Sequence, residues 1–138
     1  MTSQVTVEEI NTFLREAFEA NGGALEAIEV SDGTAKMKLA YNPAQLRPGG
    51  VISGPTQMSI ADSATYIAIF TKIGITPFAV TSNLNMNFLN PCIAGDVIAT
   101  ANILKIGKRL AVAEVDIREA NMTHPASHAI VTYALPSR

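Results

Sequence analysis

Residues 54–70 read GPTQMSIADSATYIAIF, and this stretch decides the fold. Met58, Ile60, Ala61, Ala64, Ile67, Ala68, Ile69 and Phe70 occupy most of the circumference of a helix running from about Pro55 to Lys72. A helix that is apolar on nearly every side has to be surrounded by protein. Proline suits the first turn, where its missing N–H costs nothing. Near the middle of this helix stands a carboxylate, Asp62.

The rest of the chain supplies what could surround it. From Gly74 onward the pattern turns to strands. In FAVTSNLNMNFLNP, Ser82, Leu84, Met86 and Phe88 alternate with Asn83, Asn85 and Asn87, which predicts a strand with one apolar and one polar face. GDVIATANILKIG and RLAVAEVDIREA predict long antiparallel neighbours joined at Gly107-Lys108, and SHAIVTYALP closes the set. On the N-terminal side, ALEAIEVSDGTAKMKLAY reads as a hairpin turning at Asp32-Gly33. Residues 6–21 read as an amphipathic helix, with a capping box at Thr6 and Glu9 and a stop expected at Gly22-Gly23. The sum is an α+β fold, one antiparallel sheet of five to six strands curled around one long helix, with an N-terminal helix added. No linker divides the chain, so residues 1–138 are expected to form a single domain.

Composition excludes several roles. At 48% hydrophobic residues and a net charge of −2, the chain is globular and offers neither a basic face for nucleic acid nor a polybasic membrane patch. The start lacks a signal-peptide pattern and Cys92 is the lone cysteine, which together favour a reducing, cytoplasmic setting. No His, Cys and carboxylate set has metal-ligand spacing, so no metal is expected.

Two features carry chemistry. Asp62 shares a helical stripe with Ser59 and Tyr66, and the plain reading is a solvent-facing seam. The sharper reading is a carboxylate in an apolar cleft, poised as a base or nucleophile. At the helix start, GGVISGPT offers the Gly54 N–H, while Pro55 has none. Such an N–H at the positive end of a helix can stabilise the oxyanion of an ester or thioester. Gly54 and Asp62 lie eight residues apart, about 12 Å along one helix. They can serve one carbonyl only if they come from two copies of the chain, so the catalytic reading requires a dimer.

RPGGVISGPTQMSIADSA, VTSNLNMNFLNPCIAGD and LKIGKRLAVAEVDI together resemble the hotdog-fold acyl-CoA thioesterases, most closely the PaaI-type branch of the 4-hydroxybenzoyl-CoA thioesterase superfamily. The resemblance covers about residues 35–135. It implies that Asp62 is the catalytic acid, that the Gly54 N–H forms the oxyanion hole and that Thr81 orients the attacking water. Relatives carry His-Gly-Gly where this chain has Ser53-Gly54-Pro55, and an Asn where it has Arg47. Ser53 can bond a carbonyl or shape the loop but has no imidazole. Arg47 can meet a substrate carboxylate or phosphate, and Lys105, Lys108 and Arg109 at the LKIGKR turn are candidates for the coenzyme A phosphates.

The activity implied is hydrolysis of a small or medium acyl-CoA, aromatic or aliphatic. Coenzyme A is then part of the substrate, and no separate cofactor is expected. A non-catalytic acyl-CoA-binding protein is the alternative. A hydratase ranks third, because His124 and His128 both lie far from the helix start in sequence. Tyr66, Ile69, Phe70, Phe78 and Met86 are candidates for an acyl pocket or for core. The Asn83/Asn85/Asn87 strand is expected to pair across a two-fold axis, and stacking of two dimers on that face would give a tetramer.

Overall fold

The computed structural model describes residues 2–18 and 24–137. Helix α1 spans Val7–Ala17, shorter than the predicted 6–21, with the capping box at Thr6 and Glu9 in place. The predicted stop at Gly22-Gly23 lies outside the described residues. Strands β1 (Leu25–Ser31) and β2 (Thr34–Leu39) form the predicted hairpin. Its turn uses Gly33 at φ 81°, a left-handed conformation that glycine adopts without penalty. The Gly33 N–H donates to Thr71 Oγ1 and Lys72 pairs with Asp32 at 3.2 Å, so the turn is anchored to the central helix.

Residues 42–53, rich in Pro and Gly, contain a 3-10 turn (Pro43–Gln45) and a short ladder of β3 (Leu46–Arg47) with β4 (Val51–Ile52). Helix α2 spans Gly54–Ile73, one residue longer at each end than predicted. Gly54 takes the first helical position and Pro55 the second, because Ser53 is the N-cap. Strands β5 (Val80–Phe88), β6 (Val97–Ile106), β7 (Leu110–Glu119) and β8 (Ser127–Ala134) complete a six-stranded antiparallel sheet in the order β1-β2-β6-β7-β8-β5.

The sheet wraps α2, which touches all six strands. Ile60, Ile67, Ile69 and Phe70 are enclosed, each contributing roughly 1.5–3 kcal/mol by leaving water. Close approach is possible because small residues meet: Ala61, Ala64 and Ala68 on the helix, and Ala99, Ala101, Ala111 and Ala129 on the strands, are all solvent-free. Ile69 and Phe70 are therefore core, not acyl pocket, whereas Phe78 is 81% exposed and Met86 only packs against the core from its rim. The α+β hotdog arrangement, a curved sheet around one long helix, is the one expected.

The two sheet edges are treated differently. At β1, the Asn11 side chain of α1 accepts from the Ala27 N–H at 2.8 Å and donates to its carbonyl at 3.1 Å, standing in for a neighbouring strand. β5 ends the strand order, with no described strand beyond it. Along and beside that edge Val80, Phe88 and Leu89 are more than half exposed. Unpaired strand edges with apolar exposure invite another chain.

Candidate functional site

Asp62 is held by two hydroxyls. Thr81 Oγ1 donates to Asp62 Oδ1 at 2.5 Å, and Tyr133 Oη donates to the same oxygen at 2.9 Å. Tyr133 Oη also lies 3.1 Å from the Asp62 carbonyl oxygen. No described residue bonds Oδ2. Within one chain the plain reading of the Asp62 stripe holds, a seam left open to solvent, and the apolar cleft of the sharper reading is not formed. The residue is half-buried, on the arc of α2 that carries Met58, Ser59, Ser63 and Tyr66, the part its own sheet leaves uncovered. It opens into a groove of about 320 Å³ walled by Phe18, Tyr66, Pro77, Val80, Thr81 and Tyr133.

A β-bulge aims Thr81. Strict alternation along β5 would place Ser82 on the inner face and turn Thr81 outward with the asparagines. In the structure the pairing with β8 shifts between Thr81 and Asn83, so Thr81 opposes Tyr133 and Asn83 opposes Thr132. Ser82 is the extra residue, and Thr81 gains the inward position beside Asp62. Beyond the bulge the predicted alternation holds: Leu84 and Met86 pack on the core while Asn83, Asn85 and Asn87 are exposed.

Tyr133 was not singled out in the sequence, although SHAIVTYA places it in phase with Ser127, Ala129 and Val131, all buried. A tyrosine on an inward face must find a partner for its hydroxyl. Here that partner is the carboxylate. Burial pushes the Tyr133 phenol well above its ordinary value, so the group remains a donor. Tyr66, with its ring 4.6 Å from that of Phe70 and 6.0 Å from that of Tyr133, gives its own hydroxyl to the Pro77 carbonyl at 2.9 Å. Only its ring is left to face the groove.

Gly54 lies at a second site. The Ser53 hydroxyl accepts from the Thr56 N–H at 3.3 Å and bonds Thr56 Oγ1 at 2.9 Å, while the Gln57 N–H donates to the Ser53 carbonyl. Pro55 has no N–H. Of the first helical donors, this leaves Gly54 without an acceptor in the helix. Ser53 thus shapes the turn through its cap. The groove here holds about 750 Å³, lined by Arg47, Ser53, Gly54, Gln57, Phe88 and Cys92 among others. Gln57 is buried yet satisfied, accepting from Ser127 Oγ at 2.7 Å and donating to the Ile52 carbonyl at 3.2 Å. Cys92 is buried, and its thiol is pushed up to about 11, which makes it inert at neutral pH.

The predicted residues therefore fall into two groups. Arg47, Ser53 and Gly54 share one groove, near the Phe88 end of β5; Asp62 and Thr81 share another, at the Val80 end. Lys105, Lys108 and Arg109 are exposed around the β6–β7 turn. That turn is at the Asp62 end, since Leu110 pairs with Ala134 and Ala134 with Val80. His128 faces Glu114 at 3.3 Å in register with Asn87 on the outer face, and His124 lies in an exposed bend. Neither histidine lines either groove.

A curved antiparallel sheet wrapped around one long helix is the hotdog arrangement. The model of the thioesterase superfamily matches residues 49–126, more than half of the chain, and the chain belongs to that superfamily. A protein of Saccharolobus solfataricus named "Putative esterase" is 27% identical over 117 residues, covering 85% of this chain and 77% of its own. A Thermoplasma acidophilum protein of the same description is 28% identical over 96 residues, 70% of this chain and 72% of its own. Among solved structures, a "putative thioesterase" from Silicibacter sp. TM1040 has a TM-score of 0.88 at 28% identity, over 97% of this chain and 94% of that one. The Escherichia coli PaaI protein from the phenylacetic acid degradation operon has a TM-score of 0.75 at 20% identity, over 96% and 97%, a likeness of fold alone. Superfamily and relatives together support thioesterase or esterase activity, that is, a hydrolase. Among the described residues, no helix is long and apolar enough to cross a membrane.

Proposed function

We propose that the protein is an acyl-CoA thioesterase whose site is completed by a second copy of the chain. The observation that carries this reading is the Asp62 carboxylate, fixed by Thr81 and Tyr133 at one end of an unpaired strand whose other end abuts Gly54. β5 starts beside Asp62 at Val80 and Thr81, and ends at Phe88, whose ring lies 3.4 Å from where a Gly54 Cβ would be. Two copies joined edge to edge along β5 about a two-fold axis run antiparallel. The start of each strand then meets the end of the other. Asp62 of one protomer arrives beside Gly54 of its partner, and the 12 Å problem of a single helix, about 1.5 Å per residue, disappears.

In that arrangement the thioester carbonyl oxygen accepts from the Gly54 N–H at the positive end of α2. Asp62 takes the proton of a water as its oxygen bonds the carbonyl carbon, or bonds that carbon itself and is later freed by water. The carbon–sulfur bond breaks, the electron pair leaves on sulfur, and the thiolate collects the proton. Lys105, Lys108 and Arg109 of the Asp62 protomer and Arg47 of the Gly54 protomer come to the same end of the joined sheets. In this reading these cations meet the coenzyme A phosphates. Ser53 holds the turn that presents Gly54.

The test is release of free thiol from phenylacetyl-CoA and octanoyl-CoA by wild type and by Asp62→Asn. Turnover that falls at least about 100-fold in the variant supports the reading. Full rate in the variant removes Asp62 from the chemistry. Tight binding of both esters by calorimetry, with no thiol released, replaces the hydrolase by a binding protein. A covalent acyl-Asp62 anhydride caught by rapid quench and mass spectrometry in a single turnover separates the two chemical routes, because only direct attack forms it, whichever carbonyl carbon the water then adds to.

A further inference from the structure

We propose that Tyr133 is a positioning residue: with Thr81 it pins Oδ1 of Asp62 and leaves Oδ2 as the single oxygen that acts on the thioester. This inference rests on the catalytic reading of Asp62 given above.

An aspartate carboxylate at the rim of a groove ordinarily turns about its side-chain torsions and offers either oxygen. Here both donors converge on one oxygen, at 2.5 and 2.9 Å, and no described residue bonds the other. The asymmetry defines a front and a back to the carboxylate. Of the two donors, Tyr133 is the one that is held rigidly. Thr81 is exposed, at a bulge on an edge strand. Tyr133 is 3% exposed on the inner face of β8, one strand in from the edge, with the Tyr66 ring 6.0 Å away. Its hydroxyl also reaches the carbonyl oxygen of Asp62 itself at 3.1 Å. The phenol is therefore seated against the helix backbone as well as the side chain, and Asp62 gives up the bond to Oδ1 when its side chain rotates.

Tyr133 has no part in proton transfer in this scheme. Its raised phenol affinity for the proton keeps the donor in place across the working pH range, and the departing thiolate needs no acid as strong as a carboxyl. Its contribution is orientation. A misplacement of a reacting group by about 1 Å can cost about 100-fold in rate.

Tyr133→Phe keeps the ring and removes only the hydroxyl. The expected result is a kcat lowered about 10- to 100-fold with KM changed by less than about threefold. In an Asp62→Asn background the same substitution changes the residual rate by less than about twofold, since there is no carboxylate left to orient. A structural role would instead lower activity equally in both backgrounds. An active Asp62→Asn removes the catalytic reading itself; an inactive Asp62→Asn beside a fully active Tyr133→Phe overturns the positioning role alone. The crystal structure of Tyr133→Phe reads the contact without reference to rate. Asp62 turned away from Thr81 supports the proposal, and an unmoved carboxylate defeats it.

Discussion

If each site takes Gly54 from one protomer and Asp62 from the other, two dead variants must rescue each other. Asp62→Asn removes the carboxylate from both sites of a dimer. Gly54→Pro removes the N–H from both, and proline is at home in a first helical turn. The added Cβ meets Phe88 Cζ at 3.4 Å, ordinary contact against a ring that is 53% exposed. Losing one oxyanion donor costs about 100- to 1,000-fold in kcat, so each variant alone is close to silent. Unfolded and refolded together in equal amounts, they form hybrids as about half of all dimers. A hybrid concentrates both substitutions in one site and leaves the other wild type. The mixture should therefore regain about one quarter of the wild-type thiol-release rate, at least tenfold above either parent. The assay is thiol release from phenylacetyl-CoA before and after co-refolding, with hybrid content checked on a tagged partner. A site built within one chain has no intact copy in any hybrid. Hybrids present without regained activity would refute the two-copy argument directly.

Other expectations follow from the same structure. Charging the open edge by Asn83→Lys with Asn85→Lys should loosen self-association by at least about tenfold in sedimentation, because an antiparallel pair of β5 strands centred on Leu84, the middle of Val80–Phe88, would set these like charges opposite each other; an unchanged sedimentation profile would exclude β5 as the contact. Gln57→Leu leaves Ser127 Oγ and the Ile52 carbonyl unpaired in the core, which should cost about 1–3 kcal/mol in urea unfolding. The Cys92 thiol is raised from 9.0 to about 11 by burial, so the folded state holds its proton where the unfolded state gives it up. Its contribution to stability is complete below about pH 9 and is lost as pH rises toward 11, the sign that unfolding midpoints measured across that range should show, with Cys92→Ala reducing the slope.

Much of the fold was legible because periodicity reports burial. The all-round apolar pattern of residues 58–70 left only one place for that helix, inside a sheet, and the strand runs after Gly74 supplied the sheet. What periodicity could not show were the departures from it. The ladders of β1 and β6 also shift once each, leaving Ile28 and Leu104 as extra residues, and nothing in those runs marks the shift. Asp62 was legible in part: the stripe it shares with Ser59 and Tyr66 is the solvent-facing seam that the plain reading of the helix describes, and it is the arc the sheet leaves open. The apolar cleft of the sharper reading is not formed within one chain, because a count of apolar neighbours along a helix says how many sides are greasy, not which arc is covered.

The bulge at Ser82 joins these points to the chemistry. A strand with period two cannot turn Thr81 toward the helix and also keep Leu84 and Met86 inward, since the first has odd parity and the others even. One unpaired residue between them reconciles the two. The bulge lies at the start of β5, the end that must meet Gly54 of a second copy if the sheets join. The residue that breaks the pattern thus allows Thr81 to hold a carboxylate while the rest of the strand keeps its apolar side on the core and its backbone edge free for a partner. With this order of residues, a regular β5 would have to give up either the Thr81 contact or the packing of Leu84 and Met86. On this argument the Ser82 side chain is dispensable, and what counts is that Thr81 opposes Tyr133. Ser82→Ala should retain wild-type kcat in thiol release. One alanine inserted between Ser82 and Asn83 lets the strand run regularly, with the new methyl opposite Tyr133 and Thr81 carried two residues further along, about 7 Å from its present place. That variant should keep Leu84 and Met86 on the core and unfold cooperatively in urea, yet lose at least about tenfold in kcat, because a reacting group displaced by even about 1 Å can cost 100-fold. Wild-type kcat in the insertion variant would show that the bulge serves packing alone.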